Sequence, residues 1–236
     1  MGKVIMTGGA PKIKGLVEKI RAGTLAVGSS VFLNENGRPA EYLVVHQGKP
    51  STMYDNSCDG TWLWRKDAFT VTWWDSNNNY YRESDIHTYL NNRFMDVFDD
   101  DTLGIIKQVK IPSATSAGTS SIGAGANGLS TKAFLLGLAE AGYAASVSNY
   151  MQVDGTCLEY FSESAQDKRI VCLNGNAVSW WTRSATTLNM QNAHYFYSNG
   201  GVANAIYSTA NCVVPAIIIE PDAVFAADTL ILVGAG

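Results

Sequence analysis

Nucleophilic catalysis needs a serine or cysteine beside a base that is itself held in place. The sequence offers few partners for such a group. Its three histidines, His46, His87 and His194, lie far apart, and its four cysteines, Cys58, Cys157, Cys172 and Cys212, include no C-x-x-C pair. A G-x-S-x-G elbow, a P-loop and an H-E-x-x-H motif are all missing. Cys and His spacing gives no zinc site. The run Asp99 to Asp101 lacks the ligand spacing and closing Glu of an EF-hand loop. It fits the end of one helix and the start of the next, where carboxylates meet the positive helix end. Glu220-Pro221-Asp222 has the form of the tripeptide found in calcium-dependent lectins, but it follows a core-like strand and is read as coincidence. No catalytic residue, metal or cofactor is therefore expected, and the chain reads as a non-enzyme.

The residues best suited to chemistry of another kind, recognition, lie between Arg183 and Glu220, where no Asp, Glu, Lys or Arg occurs. "TTLNMQNAHYFYSN" (186–199) combines uncharged hydrogen-bonding groups with aromatic rings. Tyrosine supplies stiff amphipathic contact area at low entropy cost, while Asn, Ser and Gly adapt their hydrogen bonds. The candidate ligand-binding residues are Asn189, Asn192, His194, Tyr195, Tyr197, Asn199, Asn204, Tyr207, Ser208, Thr209 and Asn211. Phe196, Gly200-Gly201, Val202, Val213, Pro215 and Ile217 to Ile219 read as the frame between them. The pairs Trp73-Trp74 and Trp180-Trp181 could stack on sugars. Core packing is the simpler reading, with neighbours on opposite faces of a strand, one buried and one partly exposed.

Composition narrows the class. Of 236 residues, 46% are hydrophobic and only 16% charged, and the formal net charge is −4. The first figure allows a sizeable core, the second suits strands and loops better than helices, and the third argues against nucleic acid as partner. No stretch of about 18 apolar residues is present to span a membrane. No signal peptide is visible at the start, which favours buried free thiols over the two disulfides that four cysteines allow.

Several elements must position these residues. "KIKGLVEKIRAG" (12–23) reads as a short helix, and Asn36-Gly37 as the turn of a hairpin whose second strand includes Tyr42 to Val45. Residues 50–80 read as irregular. The clearest helix is "SDIHTYLNNRFMDVF" (84–98), with Ser84 as N-cap and Ile86, Tyr89, Leu90, Phe94, Val97 and Phe98 on one face. His87 on it reads as solvated or capping. A second helix is expected from Thr102 to about Val109. Residues 113–128 read as a long loop and "STKAFLLGLAEA" (130–141) as a third helix. Short strands follow in "GTCLEYF", "RIVCL", "VSWWTR", "HYFYS", "VANAIYS" and "CVVPAIII". The organisation expected is an N-terminal extension (1–27), one ligand-binding domain (28–221) and a C-terminal strand or tail (222–236).

From Gly28 to about Pro221 the sequence resembles a domain family of gut bacteria and their phages. The resemblance rests on "VFLNENGRPAEYLVVHQGKPSTMYDNSCDGTWL", "ESDIHTYLNNRF", "IIKQVKIP", "GANGLSTKAFLL", "VDGTCLEYF", "KRIVCLNGNAVSWWTRS" and "VPAIII". It implies an α+β, C-type-lectin-like (formylglycine-generating-enzyme-type) fold with short antiparallel strands, a few helices and long loops. Some members are similar to the variable proteins of diversity-generating retroelements, which randomise adenines in chosen codons. Randomised Asn codons yield Asn, Tyr, Ser, His, Thr, Asp, Ile and Gly, much of the palette of residues 186–211. The chain departs from the family pattern at Ala185, where Pro is usual, and at Cys212 and Val214, where Gly and Arg are usual.

The resemblance implies a receptor-binding or surface-display protein, such as a phage tail-fibre protein or bacterial adhesin, on a virion or cell surface. Its partner would be a protein or glycan receptor on a cell, with no nucleic acid and no membrane insertion. Display as a homo-oligomer, as in trimeric fibres, would raise avidity. The rival readings are a non-diversified structural virion or cell-wall protein and, further off, a formylglycine-generating-type enzyme.

Overall fold

The structure, a computed structural model, describes residues 18–162 and 165–234. Strand β1 (Lys19–Arg21) leads into a 3-10 turn at Ala22–Thr24. Helix was expected for residues 12–23; positions 12–17 lie outside the described residues, and the remainder is strand and turn. The hairpin β2 (Ser30–Glu35) and β3 (Arg38–Gln47) closes on Asn36 and Gly37, both at positive φ (51° and 78°). This is the backbone that an Asn-Gly two-residue turn favours. Strands β4 (Thr61–Arg65) and β5 (Thr70–Trp73) occupy a region expected to be irregular. Burial of Trp62, Leu63 and Trp64 overrides its turn-rich composition.

The clearest expected helix forms. Helix α1 (Asp85–Tyr89) begins at Ser84, whose hydroxyl accepts from His87 N at 3.2 Å, and continues through a π turn (Leu90–Phe94) and a 3-10 turn (Met95–Val97). Ile86, Leu90 and Phe94 are fully buried, as their spacing predicts. Helix α2 (Asp100–Ile105) is capped by the Asp99 carboxylate, which accepts from Thr102 N. The acidic run thus serves as a helix start.

The segment 130–141, expected to be helical, is instead strand as far as Leu135 and then loop and turn. After β6 (Val109–Ile111), the loop 113–128 holds the short pair β7 (Ser113–Ala114) and β8 (Ile122–Gly123), followed by β9 (Leu129–Thr131) and β10 (Ala133–Leu135). Phe134, Leu135, Leu136 and Leu138 are all fully buried. A run buried on every side has no solvent face for a helix to present. Asn91 settles the matter locally: its amide donates to Ala133 O and accepts from Lys132 N and Ala133 N. "GTCLEYF" was expected as a strand but ends in a 3-10 turn at Glu159–Phe161.

The rest follows as short elements: α3 (Ala165–Lys168), β11 (Val171–Leu173), β12 (Asn176–Val178), β13 (Trp180–Ala185), β14 (Asn192–Phe196), β15 (Val202–Ile206), β16 (Ala210–Val213), β17 (Pro215–Ile219), β18 (Val224–Ala226) and β19 (Leu232–Gly234). Two five-stranded sheets dominate, β10-β17-β4-β3-β2 and β15-β14-β13-β16-β5. All their pairs are antiparallel except β13 with β16. The core lies where they meet, with Trp64 and Trp180 ring centroids 5.3 Å apart. A small sheet, β1-β18-β19, joins the first described strand to the last two. Among the described residues, no helix is long and apolar enough to cross a membrane.

Candidate recognition surface

The hairpin of β14 and β15 carries the uncharged residues outward. Its turn is a type I turn with a left-handed glycine: Gly200 N donates to Tyr197 O, Tyr197 N donates to Gly201 O, and Gly200 has φ +77°. A Cβ on Gly200 would lie 2.0 Å from Gln166 O, so a side chain cannot be accommodated without moving that backbone. Arg169 fixes the turn by donating to Gly200 O at 2.9 Å.

Strand alternation divides the candidate residues between two faces. Tyr195 shares one face with Trp181 opposite it in register, and Tyr197 continues that face, its ring 5.1 Å from that of Tyr195. Burial and the neighbouring Tyr197 hydroxyl push the Tyr195 phenol up to about 12. Asn192, Asn204 and Ile206 lie on the other face, where the Asn192 amide donates to Asn204 Oδ1 at 2.8 Å. Tyr197, Asn199, Asn204, Ser208 and Thr209 are exposed, while Asn189, Asn192, Tyr195, Tyr207 and Asn211 are half-buried.

His194 leaves the set. It is only 3% exposed because it shares the inward face of β14 with Phe196, and burial lowers its pKa, keeping the ring neutral. Tyr207 and Asn189 are also more structural than their types suggest. Tyr207 packs against the core, and its carbonyl accepts from Trp74 N and Asp75 N. Asn189 Oδ1 accepts from the backbone of Gln191 and Asn192, which makes it a turn former.

Residues that composition did not single out complete the surface. Trp73 is 53% exposed and pairs in register with Ala210, beside the β15–β16 turn; Leu188 (64%) and Met190 (61%) stand out from the preceding loop. The pair Trp73-Trp74 divides as strand alternation predicts, one ring exposed and one buried. Trp180 and Trp181 are both buried, the second because its indole donates to Thr72 O across the sheet.

The loop 186–192 is held from beneath by Asn79, which is fully buried. Its amide nitrogen donates to the carbonyls of Thr186, Asn189 and Asn192 at 3.2, 3.0 and 2.9 Å, and its oxygen accepts from Gly118 N at 2.9 Å. Asn79→Ala takes the side-chain donor from those carbonyls, of which Asn192 O keeps only Thr186 N, and is expected to cost about 2–4 kcal/mol. Denaturant unfolding measures that cost, with faster amide exchange in 186–192; a loss below about 0.5 kcal/mol would show the hub to be dispensable.

All four cysteines are free. Burial pushes the Cys58 thiol up to about 12 and raises those of Cys157 and Cys212. Among the described residues, no group of three His, Cys, Asp or Glu side chains is placed to hold a metal ion. Glu220, of the lectin-like tripeptide, bonds Lys107 Nζ at 3.1 Å.

With 38% of the described residues in strands and 19% in helices, the structure defines a mostly β domain of short antiparallel sheets. The chain belongs to the family described as a domain of unknown function (DUF6273), which matches residues 59–221. No curated protein and no solved structure matches it.

Proposed function

We propose that the protein is a recognition module: a C-type-lectin-like scaffold presenting the β14–β15 hairpin and its flanking loops to a protein or glycan receptor on a cell surface, from a virion or bacterial surface. The observation that carries this reading is the pairing of an uncharged, aromatic, exposed hairpin with an unusually firm support. Tyr197 is 45% exposed and Ile206 50%, yet Phe196, Ala193 and Trp181 between and beneath them are fully buried. A rigid frame under side chains rich in Tyr and Asn limits the ordering cost of binding. Retroelement diversification belongs to the same proposal, since exposed Tyr197, Ser198, Asn199, Asn204, Ile206, Ser208 and Thr209 are of the types that randomised Asn codons encode.

The raised thiol pKa values support a non-enzymatic role over formylglycine-generating chemistry, because the thiolate is the reactive form. A purely structural virion or cell-wall role is the reading the experiment must separate. Purified protein is assayed for attachment to bacterial cells and to a glycan array, alongside Tyr197→Ala. A hot-spot tyrosine is worth about 2 kcal/mol or more, so the variant is expected to bind about 30-fold more weakly with an unchanged Tm. Undiminished attachment would reject Tyr197 as an anchor. Sequencing the locus across a natural population tests diversification: substitutions should concentrate at exposed positions in 186–211 and spare Ala193, His194, Phe196 and Pro215.

A further inference from the structure

Among the described residues, no strand pairs with the outer side of β15, which is a sheet edge. It pairs only with β14, through an unbroken register from Asn192↔Ile206 to Phe196↔Val202. Tyr197 N donates to Gly201 O and Tyr207 N to Gln191 O, which fixes the phase of the ladder. In an antiparallel pair, hydrogen-bonded and non-bonded positions alternate. Residues 201, 203, 205 and 207 therefore turn their backbone groups toward β14, while Val202, Asn204 and the Ile206 amide turn outward; the Ile206 carbonyl already accepts from Thr209 N at 2.8 Å, leaving one lone pair for a further partner. Natural edges are guarded by Lys, Pro, a bulge or a covering segment. β15 has none of the first three, and Asn204 and Ile206 are exposed. The other edges differ: Phe32 N of β2 donates to Leu230 O, β10 is fully buried, and Thr72 O of β5 accepts from Trp181.

The sequence of this edge, Val202-Ala203-Asn204-Ala205-Ile206, is almost the same read in either direction. We infer that β15 pairs antiparallel with β15 of a second copy about a two-fold axis through Asn204, joining two five-stranded sheets into one. In that register Asn204 faces Asn204, Val202 faces Ile206, and Ala203 faces Ala205 of the other copy. The Val–Ile pairs and the central amide pair lie on one face and small alanines on the other, so no bulk or charge opposes itself. A two-fold interface requires such self-complementarity, and a charge on this edge would have forbidden it. The pairing uses backbone groups and leaves both sheet faces open. It goes beyond the recognition reading and does not depend on it. The axis runs perpendicular to the sheet, so the Tyr195 and Tyr197 clusters of both copies come to the same side, where one partner surface could engage both.

Light scattering and amide exchange on the full chain test this. The wild-type mass should rise with concentration from 25.4 kDa to twice that value. The amides of Val202, Asn204 and Ile206 should become protected over the same range. Asn204→Lys sets like charges against each other at the axis and should weaken the dimer at least about tenfold. Asn204→Pro removes the outward amide, along with the side-chain bond from Asn192, and should do the same. Asn176→Lys, on the exposed β11–β12 hairpin, adds the same charge elsewhere and should remain dimeric. Circular dichroism and Tm establish that each variant is folded. A wild type that stays monomeric at millimolar concentration, a trimer, a dimer whose three amides exchange freely, or a folded Asn204→Lys that dimerises as wild type each overturns the inference.

Discussion

Arg183→Met is expected to lower stability by about 3–5 kcal/mol, the cost of leaving a buried charge without its partner. In a chain of this length that corresponds to a Tm lower by about 6–20 °C. Arg183 is fully buried, and Glu140 receives it bidentately at 2.5 and 2.7 Å. Its Nε lies 3.1 Å from Asp154 Oδ2, and it also donates to the carbonyls of Leu135 and Asp154. Tyr54 donates to Glu140 at 2.7 Å and Ser184 to Asp154 at 2.6 Å. Two carboxylates share one guanidinium, and burial raises the Asp154 pKa against the lowering effect of Arg183. Without the cation both acids are stranded. Lysine should not rescue the site, because a single ammonium cannot reproduce the fork. Adding Glu140→Gln to Arg183→Met should recover part of the loss, a coupling that a double-mutant cycle reads directly. A single variant within 1 kcal/mol of wild type would show that the interior tolerates the acids unpaired. The cluster ties β13 to the segments at 135–140 and 152–156, so it also fixes the sheet that carries the β14–β15 hairpin.

Acid should destabilise the protein between about pH 6.5 and 4, before most carboxylates titrate. Burial is the main cause of a His87 pKa pushed down to about 4 from its ordinary 6.5; a hydrogen bond to the Arg82 backbone opposes it, and the Arg82 charge adds a smaller lowering. The ring packs against Tyr81 at 5.3 Å, and Nε2 lies 3.3 Å from Thr131 Oγ1. A depressed folded-state pKa favours the neutral ring, so its contribution is fully present above pH 6.5 and lost as pH falls toward 4. Across that interval, at about 1.36 kcal/mol per pH unit, the loss approaches 3 kcal/mol. His46 and His194 shift in the same direction, again chiefly through burial. Asp55 and Asp99, whose pKa values are lowered by hydrogen bonds, act in a more acidic window. Unfolding free energy measured from pH 7 to 4 should fall, and His87→Gln should remove about 3 kcal/mol of that fall. An identical pH profile for the variant would rule out His87 as its source.

Local signals were legible where backbone chemistry decides them. The Asn36-Gly37 turn, the Ser84 cap and the Ile86, Leu90 and Phe94 face follow from short-range rules, and the structure follows them. The segment 130–141 misled because its leucines are buried on all sides, which leaves no periodicity to distinguish strand from helix. The recognition stretch was legible as composition, but burial within it depends on register. His194 and Tyr197 belong to one palette, yet one faces the core and the other solvent. Asn79 could not be found from sequence, since its hydrogen bonds reach across more than a hundred residues. Arg183 stands in a recognisable "WWTRS" string, but its acids, Glu140 and Asp154, come from segments that composition reads as loop or helix.

The small sheet β1-β18-β19 has a mechanical consequence. Lys19 aligns with Ala226, while Gly234 aligns with Val224, so the first described strand is entered at one end of the sheet and the last is left at the opposite end. Tension applied through Lys19 and Gly234 pulls along the strands in opposite directions. Their hydrogen bonds then carry the load together instead of opening one after another. A module tethered through these strands would therefore resist drag as a shear clamp while the β14–β15 hairpin, borne on a different sheet, stayed in register.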